Sequence, residues 1–242
     1  MNISFHRATE ENEMFAKTLW MNPDMEYVIR QNIVEYDMQQ ASLSVSRRFH
    51  LMDDAKLDIL ERMPKEKRTK EVGLMQREDK VLSDNIIDGI LQTRKEFIET
   101  NQLNEDTIIT LHSDALMFIQ KRVITDNIHG VPFIHKHSWS SYIRYGHVEM
   151  FYSDGCIDYK GIPKPMLQQH TLGINQYLLN VFSLLEDNNP DIFPFLTRFQ
   201  RMYLQDKLPE YYYLPFGTVG KHKIENFKLL SFIAKIAMNE IR

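Results

Sequence analysis

The chain has 242 residues, 43% hydrophobic and 26% charged, with 29 Lys and Arg against 33 Asp and Glu for a formal charge of −4. That length can bury a sizeable core without metal or disulfide support, and the near-balanced charge excludes a basic nucleic-acid coat while leaving room for a local basic groove. The single Cys156 excludes an internal disulfide and a cysteine-based zinc site. Glu10, Glu11 and Glu13 interrupt any signal-peptide core, and no apolar run approaches about 18 residues, so a soluble, cytoplasmic protein without a membrane span is expected.

The first 30 residues are mixed in pattern, with room for one short helix. Asn32 to Asp37 (NIVEYD) reads as a short strand burying Ile33, Val34 and Tyr36. Gln39 to Leu51 follows as a helix with Ala41, Leu43, Val45 and Phe49 for packing. Asp53 or Asp54 is placed to cap the next helix, Ala55 to Arg62. Pro64 then opens a long helix running to about Thr100, with Gly73 and Gly89 as the residues that strain its continuity.

The pattern changes at Thr107. TIITL (107–111) and ALMFIQ (115–120) are β-rich runs, and the intervening His112-Ser113-Asp114 marks a hairpin turn. Strands follow at Val131 to His135, Ser141 to Tyr152 and Cys156 to Lys160. The last two are joined by Ser153-Asp154-Gly155, where Asp-Gly tolerates the positive φ of a tight turn. Helices return at Met166 to Leu185 and Ile192 to Leu204, then an irregular aromatic stretch at Leu208 to Thr218, then a closing helix from Lys223 to Ile241. Strands and helices in separate runs predict an α+β fold: an antiparallel sheet with helices on one face and a helical C-terminal third. The expected division is a first domain at 1–162 and a helical region at 163–242, thumb-like or packed on the same core.

Asp37 ends a predicted strand and Asp114 sits at a predicted hairpin turn. If those strands are neighbours, the carboxylates meet at one sheet edge. Two divalent ions about 3.5–4 Å apart, held by such a pair, can activate an attacking oxygen and stabilise a leaving one. Taken singly, either residue also serves as a helix cap or turn former. The basic stretch Lys65, Lys67, Arg68, Lys70, Arg77 and Lys80 is a candidate phosphate contact, or a solvated face paired with Glu66, Glu71, Glu78 and Asp79. His129, His135, His137 and His147 are a candidate transition-metal group or ordinary surface. Tyr211, Tyr212 and Tyr213 could stack on bases, form a partner patch or fill a satellite core.

Tyr36-Asp37-Met38-Gln39-Gln40-Ala41-Ser42-Leu43 resembles motif A of the template-directed DNA polymerases, sharing the Asp, Gln and Leu of the A-family D-Y-S-Q-I-E-L. Leu111-His112-Ser113-Asp114-Ala115 resembles motif C, with Asp114 on a metal-binding Asp. Arg77, Lys80, Asn85 and Gly89 resemble motif B, the finger helix that holds the incoming triphosphate. His135-Lys136-His137-Ser138 and Asp154-Gly155 with Tyr159-Lys160-Gly161 are similar to the B-family stretches that follow motif C. The resemblance spans Asn32 to Ile162 in preserved order. It departs where His112 and Ala115 stand in place of motif C acids, and the motif B Tyr is absent.

The resemblance implies a reduced polymerase palm. Asp37 and Asp114 would be catalytic and bind magnesium or manganese. Arg77, Lys80 and Asn85 would hold a nucleoside triphosphate, and Lys136 and Lys160 would touch primer-template nucleic acid. Activity would be that of a two-metal nucleotidyltransferase, or of one part of a split polymerase completed by a protein partner. The alternatives are a non-catalytic palm-derived replication accessory or structural interaction protein, and an unrelated α+β protein.

Overall fold

Aspartate side chains cap two of the helices in the computed structural model, which describes residues 13–162, 164–213, 216–219, 222–224 and 226–241. The chain opens with α1 (Glu13–Ala16), β1 (Leu19–Met21), β2 (Tyr27–Val28) and β3 (Ile33–Met38). Helices α2 (Ala41–Arg48), α3 (Asp54–Arg62), α4 (Lys65–Glu78) and α5 (Lys80–Thr100) follow. Asp53 caps α3 by accepting the Ala55 amide at 2.8 Å, as its position predicts.

The single long helix expected from Pro64 to Thr100 is two helices, and the break is at neither glycine. Asp79, in extended conformation, ends α4 and caps α5 by accepting the Leu82 amide at 2.9 Å. A side-chain acceptor that competes for backbone amides favours a cap over a helix interior. Gly89 has a different use: a Cβ there would lie 2.3 Å from Val45 Cγ1, so its bare backbone lets α5 pack closely on α2.

The strand-rich segment contains β4 (Ile108–His112), β5 (Ala115–Ile119), β6 (Asn127–Ile128), β7 (Val131–Trp139), β8 (Ser141–Tyr145), β9 (Val148–Ser153) and β10 (Cys156–Lys160). The expected strand over 141–152 is a hairpin, turned at Gly146 with φ 62°. Asp154 and Gly155, at φ 47° and 77°, make the predicted tight turn. Then come α6 (Lys164–Glu186), α7 (Ile192–Leu204), a short 3-10 turn at Glu210–Tyr212, β11 (Phe216–Val219), β12 (His222–Ile224) and α8 (Asn226–Glu240).

Two compact units emerge, 1–23 with 34–137 and 24–33 with 138–242. In the first, an antiparallel sheet has the order β1-β4-β5-β3-β7-β6. Its core joins Val34, Leu111, Leu116, Phe118 and Phe133 to Val45 and Phe97 of the helices. A smaller cluster of Leu43, Leu57, Leu60 and Val72 ties α2, α3 and α4 together.

In the second unit, an antiparallel sheet of order β10-β9-β8-β2 packs Ile143, Val148, Met150 and Tyr152 against Leu178, Phe182, Leu229 and Ile233 of the helices. The division therefore falls at 137/138 rather than 162/163. The alternating apolar face of β8 and β9 is buried by the C-terminal helices, which holds those strands in the second unit. Tyr212 packs edge-on against Phe199 at 5.2 Å, and Tyr213 on Tyr203 at 4.9 Å, so both join a satellite aromatic cluster. Among the described residues no helix is long and apolar enough to cross a membrane.

Gly89→Ala forces the α2–α5 contact apart, so it destabilises the protein by about 1–3 kcal/mol in chemical denaturation; unchanged stability would show that the two helices separate freely.

Candidate active site

Strand β3 is central, hydrogen-bonded to β5 on one side and β7 on the other. Asp37 is its penultimate residue. Asp114 lies in the two-residue turn between β4 and β5, after Ser113 in the left-handed region at φ 44°. The Met38 amide donates to the Asp114 carbonyl at 2.9 Å, and the Gln39 amide to the Pro132 carbonyl at 2.8 Å. The end of β3 is thereby fixed between the hairpin turn and β7.

Both carboxylates line a cavity of about 560 Å³. Its sheet side also carries Ile134 and Lys136, two apart on β7 and so on one face. The Lys136 ammonium lies 3.6 Å from Asp37 Oδ2. Facing them, α4 contributes Lys65, Arg68, Thr69, Val72, Gly73 and Gln76. That spacing of three and four residues is one face of a helix.

Burial raises the Asp37 carboxyl above its ordinary range; neighbouring Asp114 adds to the rise, and Lys136 opposes it. Burial likewise raises Asp114, against a backbone hydrogen bond and the positive charges of Arg94 and Lys136. A folded carboxyl that holds its proton more tightly than the unfolded one stabilises the fold in acid. That contribution is lost as pH rises through the raised value. At neutral pH the ionised carboxyls therefore stabilise the fold less than their protonated forms do in acid.

Arg94, wholly buried on α5, was not singled out by the motifs. Its guanidinium donates to the carbonyls of Lys17 at 2.5 Å, Ser113 at 3.0 Å, Met14 at 3.3 Å and Thr18 at 3.4 Å. Burial draws its pKa down to about 10, with Asp114 pulling the other way. By bonding the Ser113 carbonyl it pins the turn that presents Asp114. One signal in the sequence could have found it: Ile86, Ile90, Arg94 and Phe97 follow helical spacing, which puts an arginine where a core residue belongs.

The residues that resemble motif B do not line this cavity. The cations of α4 that line the cavity are Lys65 and Arg68, and its lining includes none of Arg77, Lys80 and Asn85. Arg77 is in the last turn of α4, one position past the lining face, while Lys80 and Asn85 lie beyond the Asp79 break on α5. Of the two expected backbone-binding lysines, Lys136 faces the cavity. Lys160 belongs to the second unit, where its ammonium sits over the rings of Trp139 and Phe151 at 5.6 and 5.7 Å.

The histidines are dispersed in their contacts: His135 packs on Tyr36 at 5.5 Å, and His129 Nε2 lies 3.6 Å from Glu96. Among the described residues no three His, Cys, Asp or Glu are gathered to hold a metal. The carboxylate pair alone fits a hard cation that keeps waters and ligand phosphates in its other positions, as magnesium does.

These features define an antiparallel α+β protein in which a central strand and a neighbouring hairpin bring two aspartates to one cavity, opposite a basic helix face. The chain belongs to the bacteriophage PBS1 gene 130 protein family, which matches it over residues 9–241. No curated protein matches the chain.

Asp37→Asn and Asp114→Asn should each raise stability at pH 7, with the gain shrinking to nothing as pH falls into the ordinary aspartate range near ~3.9; stability unchanged or lowered at pH 7 would contradict the raised carboxyl pKa values. Arg94→Met should cost more than about 2 kcal/mol in denaturant unfolding, because it leaves buried carbonyls unpaired; a neutral result would mean that the turn holds itself.

Proposed function

We propose that this protein is a DNA-polymerase-like palm that binds a nucleoside triphosphate with magnesium or manganese at Asp37 and Asp114. It would act as a two-metal nucleotidyltransferase or as one part of a split polymerase, in the cytoplasm of the infected cell. One observation carries the reading: an aspartate of the central strand and one of the neighbouring hairpin turn line one cavity together with Lys65 and Arg68. The carboxylates supply hard oxygen ligands, and their mutual repulsion favours a cation between them. The bound cation would supply charge neutralisation at the phosphate oxygens. Lys65 and Arg68 would hold the phosphates, taking the role that the motif resemblance gave to Arg77, Lys80 and Asn85. Lys136, beside Asp37, would meet a ligand phosphate or the primer-template backbone.

The second reading, a palm-derived replication accessory or structural interaction protein without catalysis, has its own support. The Lys136 ammonium already offers Asp37 a positive partner. His112 and Ala115 stand where polymerases of the two families carry further motif C acids.

Calorimetry with magnesium and a nucleoside triphosphate separates the two. The polymerase-like reading predicts metal-dependent binding that weakens by roughly tenfold or more in both Asp37→Ala and Asp114→Ala. Folded wild-type protein that binds no nucleotide would sink it and leave the accessory. Titration with primer-template DNA at two salt concentrations then tests the nucleic-acid partner, whose phosphate contacts require affinity to fall as salt rises.

A further inference from the structure

Gly73 sits in the middle of α4, where glycine disfavours the folded helix relative to alanine. Glycines in helices are usually explained by backbone conformation or by close packing. Neither applies. Gly73 is absent from the residues with positive φ, and a Cβ added there meets no atom of the described residues within 4 Å. The contrast is Gly89, where the same Cβ would lie 2.3 Å from Val45. Gly73 nonetheless lines the carboxylate cavity, so the space left by its missing side chain opens onto the ligand's side of the helix.

The lining face of α4 is also polarised along its length. Lys65 and Arg68 lie in the first turn, whereas Val72, Gly73 and Gln76 carry no charge. At 1.5 Å per residue, Gly73 is about 12 Å along the axis from Lys65 and about 7.5 Å from Arg68. The face thus offers cations to an anionic group at one end and half-buried backbone without a side chain to a flat, uncharged group at the other. The Gln76 side-chain amide beside it can both donate and accept a hydrogen bond. We infer that Gly73 is where α4 receives the nucleobase of a nucleoside triphosphate whose phosphates lie at Lys65 and Arg68. This assignment rests on the nucleotide reading above and makes Gly73 a specificity-determining residue.

Gly73→Ala tests it, because helix propensity and ligand fit then move in opposite directions. The variant should melt at the same temperature as wild type or up to roughly 4 °C higher. Its affinity for a magnesium–nucleoside triphosphate should fall roughly tenfold or more, while its affinity for inorganic tripolyphosphate stays at the wild-type value. Equal nucleotide affinity in the two proteins would overturn the inference and leave the nucleotide reading intact. Equal losses for nucleotide and tripolyphosphate would overturn it too, since Gly73 would then face the phosphates. A lower melting temperature would assign the glycine to packing and overturn it. Wild-type protein that binds neither probe would remove the nucleotide reading and this inference together.

Discussion

The hydrogen bond from the Met38 amide to the Asp114 carbonyl, 2.9 Å long, ties the end of the central strand to the turn of the neighbouring hairpin. Its consequence is electrostatic. Two carboxylates are held at one cavity wall, partly buried, where burial makes each harder to ionise and Asp114 adds to the rise at Asp37. The surrounding structure supports that arrangement without neutralising it fully. Arg94 pins the turn through the Ser113 carbonyl, and Lys136 reaches Asp37 from β7. Hydrophobic packing supplies the rigidity, with the tilted rings of Phe97 and Phe133 4.3 Å apart in the core of the same unit.

Ionising both carboxyls at neutral pH costs the fold part of its stability. Carboxyls with raised pKa values that line a cavity are a feature common at functional sites. The same logic separates Gly89 from Gly73. Gly89 is required by the approach of Val45, whereas no atom of the described residues crowds the Cβ position of Gly73. The aspartate pair and Gly73 border the cavity that also carries Lys65 and Arg68.

The sequence made the acidic half of this site legible and the basic half only in part. Strand periodicity and turn residues are local signals, so Asp37 and Asp114 could be placed at a strand end and a hairpin turn. Their adjacency depended on sheet order, which the polymerase resemblance suggested and local pattern did not. The basic helix was recognised as a stretch, but Asp79 was read as a neutraliser of its charge when it is the cap that divides it. With that break unseen, the triphosphate role fell on Arg77, Lys80 and Asn85. Arg94 was hidden because its partners are carbonyls distant in sequence. Local pattern does not show the 137/138 boundary because the partners of β8 and β9, the C-terminal helices and β2, are distant from them in sequence.

Diffraction from crystals soaked with manganese and a nucleoside triphosphate, read through the anomalous signal of the metal, tests the central claim most directly. The proposed reading predicts a manganese peak within ligand distance, about 2.0–2.5 Å, of carboxylate oxygens of both Asp37 and Asp114, with the Lys136 ammonium displaced from Asp37. A bound nucleotide without such a peak, or manganese held elsewhere while Lys136 stays on Asp37, would contradict it and leave the aspartate pair as part of a scaffold.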